Sequence, residues 1–292
     1  MITQQERIKN NLNTFIEFTR DQFSKQIPSL IERLMADFTI NKTKQSSHPS
    51  TDLISTLNPS NTLQSYADQN NVFAPYTVIL GKCEDNLPLT LELTNPAPGS
   101  ILICGDRDSG KTRLLRAILK SAILLNNSES LRICVITNNA RNYDVLQKTP
   151  QYVKFCTPEQ SAEQELIENL VEINSDRSQN GVGDPAIILA IDDLVTYAET
   201  LETNQIADLY RIVRHGPRSR IWTIASLHTI RFNALNEKLL SAFRTRFTGK
   251  IDSSYLASDV TESENSPATS LERGEQFCVP VNQNWLKFSI CD

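Results

Sequence analysis

With 292 residues and 39% hydrophobic content, the chain is long enough to bury the core of one large α/β domain with an appendage. No run of about 18 apolar residues is available to cross a bilayer, and an N-terminus rich in Gln, Asn and charge lacks the pattern of a signal peptide, so a soluble cytoplasmic protein with no membrane segment is expected. The net charge of −5 gives no general affinity for nucleic acid, and six isolated cysteines (Cys83, Cys104, Cys134, Cys156, Cys278, Cys291) without a C-x-x-C pair argue for reduced core thiols and against a zinc site.

Residues 1–40 read as two helices with their own apolar stripes. Ile8, Leu12, Phe15, Ile16 and Phe23 recur at three- and four-residue steps, and Pro28 opens a second segment carrying Leu30, Ile31, Leu34, Met35 and Phe38. Such stripes either pack on the main domain or recruit a protein partner or a second copy. Residues 41–71 are crowded with Ser, Thr, Asn, Gln and Pro and read as a flexible linker, so the main domain is expected over 72–292. Its first feature is a β-hairpin, Tyr76 to Leu80 and Leu87 to Leu93, leading toward the next strand through Pro96, Pro98 and Gly99.

That next stretch organises the chain. The apolar run Ile101-Leu102-Ile103-Cys104 enters Gly105-Asp106-Arg107-Asp108-Ser109-Gly110-Lys111-Thr112-Arg113, and Leu114, Leu115, Ile118, Leu119 and Ala122 follow at helical spacing. A strand, G-x-x-x-x-G-K-T and a helix in this order make a P-loop. Gly105 and Gly110 let the backbone approach a polyphosphate, so that successive N–H groups and the helix N-terminus face the anion. Lys111 is then expected on the β- and γ-phosphates of ATP and the Thr112 hydroxyl on Mg²⁺. Asp106 and Asp108 bring carboxylates into this anion-binding loop, so both must point outward for it to bind phosphate well.

Leu131 to Ile136 reads as a second buried strand. Thr157-Pro158-Glu159-Gln160 carries the marks of a helix start, opening a helix with Ala162, Leu166, Ile167, Leu170 and Ile173 on its inner face. Ala186 to Ile191 is a third buried strand, ending in Asp192-Asp193. In a parallel sheet that end lies beside the P-loop, with Asp192 in the Mg²⁺ shell and Asp193 orienting or deprotonating the attacking water; the alternative is a pair of helix-capping aspartates. Ile221 to Ser226 is a fourth strand, after which His228 is either a γ-phosphate sensor or a structural histidine. Phe247 to Ile251, Gln276 to Pro280 and Leu286 to Ile290 supply further strands, and Ser258 to Ser270 reads as a mobile surface loop.

Charge is unevenly spread. From Glu159 to Asp208 there are 12 acidic residues against one basic, and from Arg211 to Lys250 nine basic against one acidic. Opposite faces of this kind suit head-to-tail contact between subunits or a basic surface turned to phosphates, and equally two ordinary solvated faces.

The order of these parts resembles the FtsK/SpoIIIE and HerA group of RecA-like motor ATPases. The resemblance rests on Ile79-Leu80-Gly81-Lys82, Ile101 to Thr112, Ile191-Asp192-Asp193-Leu194, Arg211-Ile212-Val213-Arg214, Arg244-Thr245-Arg246-Phe247 with Ile251-Asp252-Ser253-Ser254, and Arg273-Gly274-Glu275-Gln276-Phe277, covering roughly 75–290. It implies a P-loop NTPase with a mainly parallel central sheet flanked by helices, here preceded by the small N-terminal helical region. It also implies a ring, usually a hexamer, that uses ATP to move double-stranded DNA; related members pump DNA or protein through secretion systems. Arg214 or Arg218 would then reach a neighbour's γ-phosphate as an arginine finger. Two positions depart from the group. Asp193 stands where Glu is usual, one methylene shorter, and Leu227 stands in place of a polar Gln. The other expectation is therefore a nucleotide-bound regulator or scaffold with weak hydrolysis.

Overall fold

The structure, a computed structural model, describes residues 73–156, 161–281 and 284–291. The expected N-terminal helices, the linker and the helix start at 157–160 lie outside the described residues.

Ten strands form one sheet in the order β2-β1-β10-β9-β8-β3-β7-β6-β4-β5. The parallel part comprises β3 (Ile101–Gly105), β4 (Leu131–Thr137), β5 (Tyr152–Cys156), β6 (Ala186–Asp192), β7 (Ile221–His228) and β8 (Thr245–Thr248). β3, β4, β6 and β7 are near-continuous apolar runs because both faces of a parallel sheet are covered by helices. The antiparallel part adds β1 (Thr77–Cys83), β2 (Pro88–Glu92), β9 (Gln276–Val281) and β10 (Asn284–Ser289). The hairpin foreseen at the start of the domain is therefore present as β1 and β2, but β8, β9 and β10 separate it from β3.

Helix α1 (Lys111–Leu125) packs on one face of this sheet. Leu114, Leu115, Ile118, Leu119 and Ala122 are fully buried against β1, β3, β4, β6 and β7. Side chains tie the hairpin over it: Ile79 N donates to Ser121 Oγ at 2.6 Å, Asn126 Nδ2 donates to Thr77 O at 2.9 Å, and the fully buried Trp222 donates from Nε1 to Leu93 O at 3.1 Å. The other face carries α2 (Ser161–Asn180), α3 (Leu194–Glu199), α4 (Thr203–His215), α5 (Glu237–Ala242) and α6 (Ser254–Thr261) around a second core that includes Leu166, Tyr197, Leu209 and Phe243. Five of the six cysteines are buried, and burial pushes the Cys104 and Cys278 thiols up to about 12, so they stay protonated.

One expectation fails. Ser258 to Ser270 is not a mobile loop: α6 occupies its first part, capped by Ser253 Oγ accepting from Leu256 N, and buries Ala257 and Val260. A single turn over Pro267–Thr269 follows, and Ala268 within it is fully buried. The polar residues that suggested a loop are caps and the outer face of a short helix. Strand β5 and helices α3, α4 and α5 were not foreseen; α4 is announced by the capping box of Glu202 and Gln205.

Since Ile118 is fully buried between α1 and the sheet, Ile118→Ala should leave a cavity costing about 2–5 kcal/mol, measured by denaturant unfolding.

Candidate functional site

The parallel strands deliver the P-loop, Asp192, His228 and the segment after β8 to one edge of the sheet. Gly105 lies in register with His228 and Thr137 with Asp192. The loop takes its shape from two left-handed residues, Asp108 (φ 59°) and Gly110 (φ 92°). A Cβ on Gly110 would stand 2.8 Å from Gly274 O, so glycine is required there for contact as well as for φ. Gly110 is also the N-cap of α1. With no side-chain cap and no acid in the first turn, the positive end of the helix suits an anion.

Lys111 Nζ donates to Gly105 O (3.0 Å) and Asp106 O (2.6 Å), which holds the ammonium within the curl of the loop. Burial pulls its pKa below the ordinary lysine value. Asp106 does not face the anion position: its carboxylate accepts from Thr229 Oγ1 and, at 2.8 Å, from Asp252 N. The side chains of Arg107 and Asp108 are 89% and 82% exposed, and Ser109 is fully buried. The loop carboxylates are therefore turned aside, as phosphate binding requires.

Asp192 accepts from three hydroxyls on three elements. Thr112 Oγ1 lies 2.9 Å from Oδ1, Ser226 Oγ 2.8 Å from Oδ1 and Tyr143 OH 3.1 Å from Oδ2. Thr112 and Asp192 thus stand together at the mouth of the P-loop. Among the described residues no group of three or more His, Cys, Asp and Glu forms a metal cage; a threonine hydroxyl beside a single carboxylate fits Mg²⁺, which takes one or two protein ligands together with substrate phosphates. Asp193 differs. It sits at φ 72° and caps α3, Oδ1 accepting from Thr196 N (3.2 Å) and Oδ2 from Thr196 Oγ1 (2.6 Å). Asp193 is thus a helix cap, whereas Asp192 caps no helix and is held by hydroxyls from three elements.

His228 accepts from Ile230 N at Nδ1 (3.2 Å), and burial together with Lys111 pulls its pKa below 6.5. The segment Arg273-Gly274-Glu275 straps the loop from outside. Arg273 donates to Arg107 O and to both oxygens of Asp252, each at 2.6 Å, while Arg113 donates to Gly274 O at 3.1 Å and pairs with Glu275. Tyr143, Ser226, Thr229 and Asp252 are the site residues that sequence reasoning missed. Their only signal is hydroxyl or carboxyl character, Ser226 and Thr229 at the end of β7 and Tyr143 and Asp252 in the segments that follow β4 and β8.

Arg214 and Arg218 are not brought to this site. Both are exposed at the end of α4 and in the turn before β7, where Val213 O accepts from Ser100 Oγ ahead of β3. The eight residues of β7 separate that edge from the P-loop edge by roughly 25 Å. Arg244 joins them, its pKa lowered by burial and by both neighbours.

No model of a known protein family matches the chain. A stretch of 52 residues, 18% of the chain, is 40% identical to 15% of the magnesium-chelatase subunit ChlI of Cyanidium caldarium. Among solved structures, EssC (ATPases 2 and 3) of Geobacillus thermodenitrificans aligns with a TM-score of 0.61 at 16% identity, over 74% of this chain and 44% of that one. EccC (ATPases 2 and 3) of Thermomonospora curvata, in complex with a signal sequence peptide, gives 0.59 at 15%, over 74% and 40%. The pCW3 conjugation coupling protein TcpA with ATPγS gives 0.59 at 15%, over 74% and 66%. This chain spans less than half the length of the EssC and EccC chains it matches.

Two variants test the local account. Gly110→Ala should lower both thermal stability and Mg-ATP affinity, read by melting with and without nucleotide. For His228 the unfolded state, with its ordinary value of 6.5, binds a proton before the folded state does. Its contribution to stability is therefore complete above pH 6.5 and is lost as the pH falls through the lower folded value; His228→Gln should flatten that part of the unfolding profile, and an NMR titration should place the imidazole below 6.5.

At these identities the likeness is one of fold, and the fold is the RecA-like α/β fold of the FtsK/SpoIIIE-type P-loop ATPases that the motifs resemble.

Proposed function

We propose that the chain is the ATP-binding and ATP-hydrolysing motor domain of an FtsK/HerA-type machine, working in an oligomeric ring that couples hydrolysis to translocation of double-stranded DNA. The observation that carries this reading is the Thr112–Asp192 hydrogen bond at the mouth of a P-loop whose helix start is left uncapped.

The backbone from Gly105 to Arg113 would hold the phosphates, with Lys111 on their outer oxygens. Thr112 and Asp192 would hold Mg²⁺, which neutralises charge on the phosphates when bound. Asp193, next to Asp192 after β6, would orient the attacking water. Arg214 and Arg218, at the far edge of the sheet, would act only on a neighbouring subunit's nucleotide, which makes turnover depend on assembly. The basic run from Arg211 to Lys250 would face either that neighbour or the polymer. Residues 1–40 would bind a protein partner or pack on the domain, tethered by 41–71.

A second reading, an ATPase acting on protein in secretion, is favoured by the fold shared with EccC, a structure solved with a signal sequence peptide. A third, a nucleotide-binding scaffold with weak hydrolysis, is favoured by the capping role of Asp193.

Steady-state ATP hydrolysis with and without long double-stranded DNA tests the choice. The motor reading expects stimulation by DNA, loss of turnover in Lys111→Ala and Asp192→Asn, and wild-type Mg-ATP binding with at least about tenfold lower turnover in Arg214→Ala or Arg218→Ala. Indifference to DNA with stimulation by a protein substrate would move the function to secretion. Mg-ATP binding without any turnover would leave the scaffold.

A further inference from the structure

The two neighbouring aspartates at the end of β6 are held by separate tethers. Asp192 takes its hydrogen bonds from Thr112, Ser226 and Tyr143, on the phosphate side. The Asp193 backbone joins the same network, its N–H donating to Ser226 Oγ at 2.9 Å. Its side chain does not. Both of its carboxylate oxygens are taken up by one residue, Thr196, through the backbone N–H and the hydroxyl. That hydroxyl is fixed in turn: Arg231 Nη1 donates to Thr196 Oγ1 at 3.1 Å, while Arg231 Nη2 pairs with Glu199 one turn further along α3. Because Thr196 Oγ1 accepts from Arg231, its own proton is directed to Asp193. The result is a relay, Glu199 to Arg231 to Thr196 to Asp193, joining the turn after β7 to the start of α3. Asp193 also holds a left-handed backbone conformation, rare for a residue with a side chain and frequent where a local structure is kept under constraint.

We infer that Thr196 and Arg231 are positioning residues that keep the Asp193 carboxylate on the helix cap and away from the water it would orient, so that they restrain the turnover of the site. The inference rests on the ATPase reading above. Its physical content is the independence of the two tethers. Rotation of the Asp193 side chain breaks the hydroxyl and N–H bonds to Thr196 and leaves the Asp192 network and the P-loop as they are. A shift of the turn carrying Arg231, which follows directly on His228 and Thr229 beside the P-loop, would loosen the hydroxyl from the same side.

Thr196→Val removes the hydroxyl and preserves the shape and the backbone bond. In steady-state hydrolysis of Mg-ATP by the full chain it should raise kcat about two- to tenfold, the population shift that one net hydrogen bond supports, with KM and Mg-ATP affinity unchanged. Thr196→Ser, which keeps the hydroxyl, should return kcat to the wild-type value, and Asp193→Asn combined with Thr196→Val should abolish the gain. A cap that is purely structural would change stability and not this pattern. Should Thr196→Val fail to fold, Arg231→Gln, which releases the hydroxyl from outside, is expected to move kcat in the same direction. A variant that binds Mg-ATP as wild type does and hydrolyses it no faster overturns the inference alone. Absence of Mg-ATP binding in every form, or hydrolysis untouched by Lys111→Ala, overturns the ATPase reading and the inference with it.

Discussion

The site depends on one joint, the hydrogen bond from Thr112 Oγ1 to Asp192. Thr112 is the second residue of α1 and Asp192 the last of β6, so the contact fixes the start of the helix relative to the edge of the sheet. A half-buried carboxylate is costly unless its lone pairs are occupied, and charge-assisted bonds from hydroxyls are among the stronger ones available. Asp192 meets that demand with donors from α1, from the short turn after β4 and from β7. Any shift of these elements is therefore felt at the same two oxygen atoms.

The loop itself answers an electrostatic problem by geometry. Three features keep its concave side positive: the open start of α1, the partly buried Lys111, and the diversion of Asp106 to Thr229 and to the backbone of Asp252. Arg107 and Asp108 form an exposed ion pair at 3.9 Å, which contributes little. The strap from Arg273 to Glu275 then limits how far the loop can open, because Gly110 already lies against Gly274.

Much of this was legible in the sequence where the signal is local. The P-loop, the runs at Leu131, Ala186 and Ile221, and the final pair of strands all announce themselves by apolar continuity and punctuation, and the structure places them as expected. What stayed hidden is pairing between distant segments. Nothing in Thr77–Cys83 indicates that its partner on one side is Asn284–Ser289, since a strand's own residues specify which faces are covered and not which strand lies beside it. The roles of Tyr143 and Thr229 were hidden for the same reason: a hydroxyl is an ordinary residue until the fold carries it to a carboxylate. The polar stretch after Ser253 misled because serines that cap helices and serines in loops have the same composition.

The sheet closes its antiparallel edge with the first and last described strands of the domain, β1 on β10, and the strap on the P-loop comes from the segment just ahead of β9. A chain emerging from the ribosome can form β3 and α1 early, but β1 has no partner on that side until about two hundred further residues have been made, and the P-loop has no strap until about 160 have. Loop closure over such a span is slow compared with local folding. The closed P-loop is thus a late product of synthesis, and a ribosome that stalls or a message that ends before Glu272 would release a chain carrying the whole P-loop sequence and lacking the part that closes it.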